Sequence, residues 1–199
     1  SFNVFEAAAD AGAKELVAAS SASVYGEPAY LPMDEDHPFL NDTMYGAGKI
    51  AMEALLNVFA KRHGLDYCVF RPFNVYGPWQ QADAEGGVVA RSVARALAGE
   101  PLDVHGDGDQ TRDFVYVTDC ARGIADAARQ SAQGHVINLA TGVETSIVAL
   151  ARCIAGSEHA VRHLPHPHPT AEVPRYRGDA TLADDLLGWR PQVGLADGL

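Results

Sequence analysis

Short apolar runs alternate with helical segments along this chain, and that alternation constrains its fold more than any other feature. Leu16–Ala19, Tyr67–Phe70, Leu102–Val104, Phe114–Val117 and Val136–Leu139 have the length and content of buried strands. Phe2, Phe5, Ala8 and Ala9 fall on one face of a first helix, with Gly12 as its stop. Met52, Leu55, Leu56 and Phe59 do the same within 43–63, which closes at Gly64. Further helices are expected over 86–99, 118–130, 146–154 and 182–187. Strands separated by helices predict an α/β fold with a parallel sheet covered on both faces. The proline-broken stretch His159–Pro169 reads as the one variable connection.

Composition narrows the function classes. At 199 residues and 47% hydrophobic, the chain is long enough for a real core. A net charge of −11 argues against a nucleic-acid partner, so an anionic small molecule would need arginines that converge locally. No apolar run approaches the roughly 18 residues of a membrane helix, and no membrane partner is expected. Cys68, Cys120 and Cys153 are isolated and odd in number, which reads as free thiols in a reducing, cytoplasmic setting. His159, His163, His166 and His168 lack a scaffold that would converge them, so no metal is expected.

The chemistry is concentrated in two adjacent motifs. Tyr45 and Lys49 are four residues apart in a helix, which puts them one turn apart on the same face. Upstream lies Ser20-Ser21-Ala22-Ser23-Val24-Tyr25-Gly26, directly after the Leu16–Ala19 strand. A serine at that strand end completes a hydroxyl–phenol–ammonium cluster. An ammonium beside a phenol favours the phenolate, and such a base suits removal of an alcohol proton while hydride leaves the same carbon.

These motifs, with Arg71-Pro72-Phe73-Asn74-Val75-Tyr76-Gly77-Pro78 and Gly106-Asp107-Gly108-Asp109-Gln110-Thr111-Arg112-Asp113-Phe114-Val115-Tyr116-Val117, resemble the extended short-chain dehydrogenase/reductases. Within them, the NAD-dependent epimerase/dehydratase family is the match, and the UDP-glucose 4-epimerase type is the most similar branch. The resemblance runs from Phe2 to Leu199. It implies a Rossmann-like parallel sheet, NAD as cofactor, a nucleotide-sugar substrate with UDP as the nucleotide, and a homodimer formed through helix 43–63 and its neighbour. It also implies a division into 1–77, the C-terminal part of the NAD-binding domain, and 78–199, mainly substrate-binding. Residues 113–139 would return to the Rossmann-like domain.

Roles follow residue by residue from the resemblance. Ser21, Tyr45 and Lys49 would be catalytic, with Tyr45 as general acid/base. Ala19, Ser20, Tyr45, Lys49, Pro72 and Phe73 would contact the cofactor. Ser21, Ser23, Tyr45, Asn74, Gly87, Val88, Leu102, His105, Arg112 and Arg175 would contact the substrate, with Arg112 clamping the diphosphate. Arg177 is the alternative to Arg175, because the register of Val173-Pro174-Arg175-Tyr176-Arg177 is open. The family often has an asparagine at Gly87 and an aromatic ring at His105.

Two departures matter. The family opens with a strand, a glycine-rich turn and a helix that cradle the dinucleotide pyrophosphate, and no such turn occurs in these 199 residues. The chain therefore reads as a fragment lacking roughly the first hundred residues of the family pattern. Such a fragment would have little turnover alone, and a non-catalytic nucleotide-sugar-binding piece is a rival reading. For 4,6-dehydration the resemblance calls for an Asp-Glu pair where Ala22 and Ser23 stand. That favours a 4-epimerase, with a decarboxylase or reductase as the alternative.

Overall fold

A parallel sheet forms because three of the apolar runs align side by side. In the computed structural model, which describes residues 1–82, 87–130, 132–156, 161–166 and 173–199, strands β1 (Glu15–Ala19), β2 (Asp66–Pro72) and β7 (His135–Leu139) take the order β1-β2-β7. Leu16 pairs with Tyr67 and Ala19 with Phe70, while Phe70 pairs with Ile137 on the other side. The central strand is buried over Cys68–Arg71, as a sheet covered on both faces requires.

Two helices cover one side of this sheet. Helix α1 spans Phe2–Asp10 and α2 spans Met44–His63. The Thr43 side chain caps α2 by accepting from the Gly46 N–H at 3.0 Å. Gly64 ends it at φ +63° and donates to the Ala60 carbonyl. Met52, Leu56 and Phe59 recur at helical spacing and pack with Phe5, Ala18 and Val69. Phe59 meets Phe2 and Phe5 edge-on at 5.3 and 6.0 Å.

The other side of the sheet holds the main core, with Phe70, Phe73, Ile137, Leu139, Trp189 and Tyr25. Helices α4 (Val117–Gln130) and α6 (Thr181–Leu187) contribute to it. Trp189 is 1% exposed and donates its ring N–H to the Asp119 carbonyl at 2.9 Å.

Smaller pairings build the region beyond the sheet. β3 (Asn74–Tyr76) runs parallel to β6 (Phe114–Tyr116), and β5 (Thr111–Arg112) runs antiparallel to β8 (Thr145–Ser146). β4 (Leu102–His105) pairs in parallel with β9 (Val161–Leu164). The stretch expected as a variable connection therefore holds a strand. Pairing with β4 satisfies its backbone, a long-range gain that local proline content does not reveal. Helix α3 (Val88–Leu97), capped by Gly87, and α5 (Ile147–Ala155) pack on this part, and a short α7 (Leu195–Gly198) follows. The expected start of α3 at 86 lies outside the described residues, as do His159 and His168.

Candidate active site

The serine turn and the Tyr45 helix are fixed to each other at two points. Lys49 Nζ donates to the Ala19 carbonyl at 2.9 Å, joining α2 to the C-terminal end of β1. One residue after Tyr45, Gly46 is packed so closely that a Cβ there would lie 2.6 Å from the Ser23 carbonyl and against the Asn41 side chain. Only a glycine lets α2 approach the turn this way. The Lys49 ammonium lies 5.5 Å from the centre of the Tyr45 ring, and Tyr45 is 61% exposed.

Residues 22–24 form a single 3₁₀ turn that begins at Ser21, whose hydroxyl accepts from the Ser23 N–H at 3.1 Å. Ser20 and Ser23 carry buried hydroxyl oxygens with no hydrogen-bond partner among the described residues. Buried polar atoms are normally paired, so two orphans at one strand end mark a place where a ligand's polar atoms are needed.

A buried network holds the turn from behind. Arg71, 4% exposed, makes a two-pronged bridge to Glu53 at 3.1 and 2.7 Å and donates to the Tyr25 hydroxyl and the Glu35 carbonyl. Tyr25 in turn donates to Asn138 Oδ1 at 2.6 Å. Burial pushes the Tyr25 phenol up to about 12, against the pull of Arg71, so it stays a proton donor.

The turn forms one wall of a cavity of about 190 Å³, with Pro72, Phe73 and Asn74 on the next wall and Arg112 and Tyr176 opposite. Tyr176 donates to the Ala22 carbonyl at 2.6 Å, and burial holds its proton above the ordinary phenol range. Its hydroxyl is committed to the backbone, which leaves Tyr45 as the phenol beside an ammonium. Tyr45 and Lys49 themselves lie outside the cavity lining.

Asn74 and Arg112 also line a second cavity of about 480 Å³, together with Gly87, Val88 and His105. The two cavities thus adjoin at Asn74 and Arg112. Asp113, fully buried, aligns their walls: its side chain accepts from Thr141, Gly142 and Gly178, and its carbonyl accepts from the Asn74 N–H at 2.9 Å. Burial pushes the Asp113 carboxyl above the usual range despite those bonds. Arg112 Nη1 donates to the Thr111 and Val173 carbonyls at 2.7 and 2.8 Å, which sets the guanidinium between the cavities.

Besides Ala19, Ser20, Tyr45 and Lys49, the expected residues Leu102 and Arg175 also lie outside both linings. Leu102 is fully buried and packs with Val104 and Ala151, because β4 turns its side chain into the core. Arg175 forms a two-pronged bridge to Glu144 and lies outside both linings. That cation holds the Glu144 carboxyl down at about 2, helped by Thr111. Arg177, the alternative, lines a separate cleft beside Asp179 and Arg190. Tyr176, which a reading of this stretch for phosphate-binding cations passes over, takes the cavity-facing position between them. His166 lines the larger cavity, its ring 5.9 Å from that of His105.

The model of the NAD dependent epimerase/dehydratase family matches residues 1–140. The chain belongs to this family. It is 41% identical over 196 residues to the UDP-glucose 4-epimerase of Mycolicibacterium smegmatis, covering 98% of this chain and 63% of that protein. It is also 35% identical to UDP-glucuronic acid decarboxylase 1 of Xenopus tropicalis, over 92% of this chain and 45% of that one. The crystal structure of UDP-glucose 4-epimerase from Thermotoga maritima, with UDP-glucose, superposes with a TM-score of 0.92 at 33% identity. That match covers 98% of this chain and 64% of the other. This family member thus spans under two thirds of these epimerases' lengths, and its described strands form the Rossmann-like parallel sheet of such enzymes.

The residues present fit the nicotinamide end of NAD. The Lys49–Ala19 contact, the exposed Tyr45 and the orphaned Ser20 hydroxyl gather at the C-terminal edge of the sheet, where ligands of open α/β sheets bind. Among the described residues no helix is long and apolar enough to cross a membrane.

Proposed function

We propose that this chain supplies the catalytic and substrate-binding part of an NAD-dependent nucleotide-sugar 4-epimerase acting on a UDP-sugar. The observation that carries the reading is the pair of adjoining cavities, one walled by Ser21–Ser23 and the other by Gly87, Val88 and His105, which share Asn74 and Arg112. A sugar in the first, a diphosphate at the shared residues and a nucleoside in the second fit that arrangement. The 41% identity to a UDP-glucose 4-epimerase supports the same reaction class.

In this reading Tyr45, beside the Lys49 ammonium, takes the proton of the sugar's 4-hydroxyl and later returns it to the keto oxygen. Ser21 donates to the reacting oxygen and Ser23 to a neighbouring sugar hydroxyl. NAD, when bound, is the hydride acceptor and donor at C4. Lys49 and Tyr45 hold its ribose, and Ala19, Ser20, Pro72 and Phe73 bound its nicotinamide. Arg112 clamps the diphosphate because its planar fork matches phosphate oxygens, and Asn74 assists. His105 lies against the nucleobase. Between the two half-reactions the keto sugar turns in the cavity while the nucleotide stays anchored. Ala22, 3% exposed and apolar, supports epimerisation over dehydration, since no acid stands there. The exposed Phe2 and Val58 beside α1 and α2 support pairing of two copies through those helices.

The test is a hybrid in which this chain replaces the matching stretch of the Mycolicibacterium smegmatis enzyme. Supplied with UDP-glucose or UDP-galactose, it should form the C4 epimer. A stable 4-keto product would overturn the epimerase reading, and conversion only of UDP-glucuronic acid with loss of carbon dioxide would move the protein to the decarboxylase branch.

A further inference from the structure

The larger cavity holds polar groups beyond Asn74, Arg112 and His105. Its floor is one face of α3: Val88, Arg91, Ser92 and Arg95 recur at helical spacing and all line it. Arg95 is engaged by the Pro101 carbonyl at 2.8 Å and by Asp103 and Glu100 at 3.2 and 3.4 Å. Asp103 is in turn bridged by Arg162 at 2.7 Å, so its charge is neutralised twice. Arg91 differs: it is exposed, and its side chain makes no hydrogen bond or ion pair among the described residues. Ser92 beside it is only 7% exposed, lines the cavity, and its hydroxyl has no hydrogen-bond partner among the described residues either.

The expected second phosphate cation, Arg175, is engaged with Glu144 outside both cavities. A diphosphate carries more charge than Arg112 alone matches, and the chain as a whole is strongly acidic at −11. The N-terminal end of α3, capped by Gly87 without a side-chain bond, adds its own positive dipole to the same space.

We propose, resting on the nucleotide-sugar function, that Arg91 is the second cation on the substrate's diphosphate and that the Ser92 hydroxyl bonds a phosphate or ribose oxygen of the same nucleotide. Arg112 and Arg91 then grip the diphosphate from opposite walls, and α3 becomes a substrate-binding helix beyond Gly87 and Val88. Arg91 is exposed, so its replacement leaves the core untouched.

Calorimetric titration of the 199-residue chain with UDP and with uridine tests this. Arg91→Gln should weaken UDP binding roughly ten-fold and leave uridine unchanged, Arg91→Lys should recover part of the loss, and Ser92→Ala should cost about three-fold. Arg129→Gln, an exposed charge on α4, serves as the control for net charge. Equal UDP affinity for Arg91→Gln and the unaltered chain, or equal losses for Arg91→Gln and Arg129→Gln, would overturn the assignment. If the unaltered chain binds no UDP, the nucleotide-sugar reading itself fails, and the role of Arg91 with it.

Discussion

Lys49 Nζ donates to the Ala19 carbonyl at 2.9 Å, so the helix that carries Tyr45 is tied to the strand end that carries the serines. Because Lys49 both orients the helix and lies over the Tyr45 ring, its removal should separate rate from stability. In the epimerase hybrid, Tyr45→Phe and Lys49→Ala should each lower kcat by about 10²–10⁴-fold. Lys49→Ala should cost under about 1 kcal/mol in urea unfolding, since the bond is near the surface. A large loss of stability with kcat preserved would mean that the contact is only structural.

Gly46→Ala gives a test of sign. Helix propensity alone makes alanine better than glycine by about 1 kcal/mol. The new Cβ would meet the Asn41 side chain and stand 2.6 Å from the Ser23 backbone oxygen. The expected result is a lower urea midpoint and a lower kcat together, because α2 must move off the serine turn.

The Arg71–Glu53 bridge has side-chain exposures of only 5% and 10%. Arg71→Met should therefore destabilise by roughly 3–5 kcal/mol, by leaving the Glu53 carboxylate buried and unpaired. Replacing both, Arg71→Met with Glu53→Leu, should recover much of that loss. Equilibrium unfolding of the three variants checks both statements.

Glu144 gives a pH dependence. Its folded pKa is depressed to about 2, chiefly by Arg175, from an ordinary value of 4.5. A depressed carboxylate contributes stability that is present above its unfolded pKa and is lost as pH falls through the folded one. The stability gap between the unaltered chain and Glu144→Gln should thus be constant near neutrality and shrink from about pH 4.5 towards pH 2. Urea midpoints measured across that range are the readout.

Thiol reactivity should split the cysteines. Cys68 and Cys120 are buried, and burial pushes both thiols up to about 12, whereas Cys153 on α5 is exposed. A thiol reagent at neutral pH should label Cys153 rapidly in the native chain and the other two only after denaturation.

The sheet strands were legible because each is a short apolar run ended by a turn residue, and burial on both faces demands that pattern. For the candidate site, the spacing of Tyr45 and Lys49 after the serine motif is what the sequence offers by itself, while Asn74 and Arg112 enter through the family resemblance, and the structure places Ser21, Asn74 and Arg112 on one cavity. β9 was not legible, since His163 and its neighbours are held by pairing with β4, a partner far away in sequence. Nor was the place of Arg91 and Ser92 in a cavity lining: on the sequence they are two ordinary residues of an amphipathic helix.

Residue order alone sets the α/β alternation, the helix that puts Tyr45 one turn from Lys49, and the chemistry those residues offer. Which charges are free to act is a matter of packing. Arg175 and Arg177 are near-identical in sequence context, yet one is engaged by Glu144 and the other lines a different cleft. Tyr176 between them faces the cavity and Leu102 faces the core. Backbone pattern is a local property, readable residue by residue. Whether a guanidinium meets a carboxylate or an open cavity depends on segments distant in the chain, and those meet only in the folded molecule.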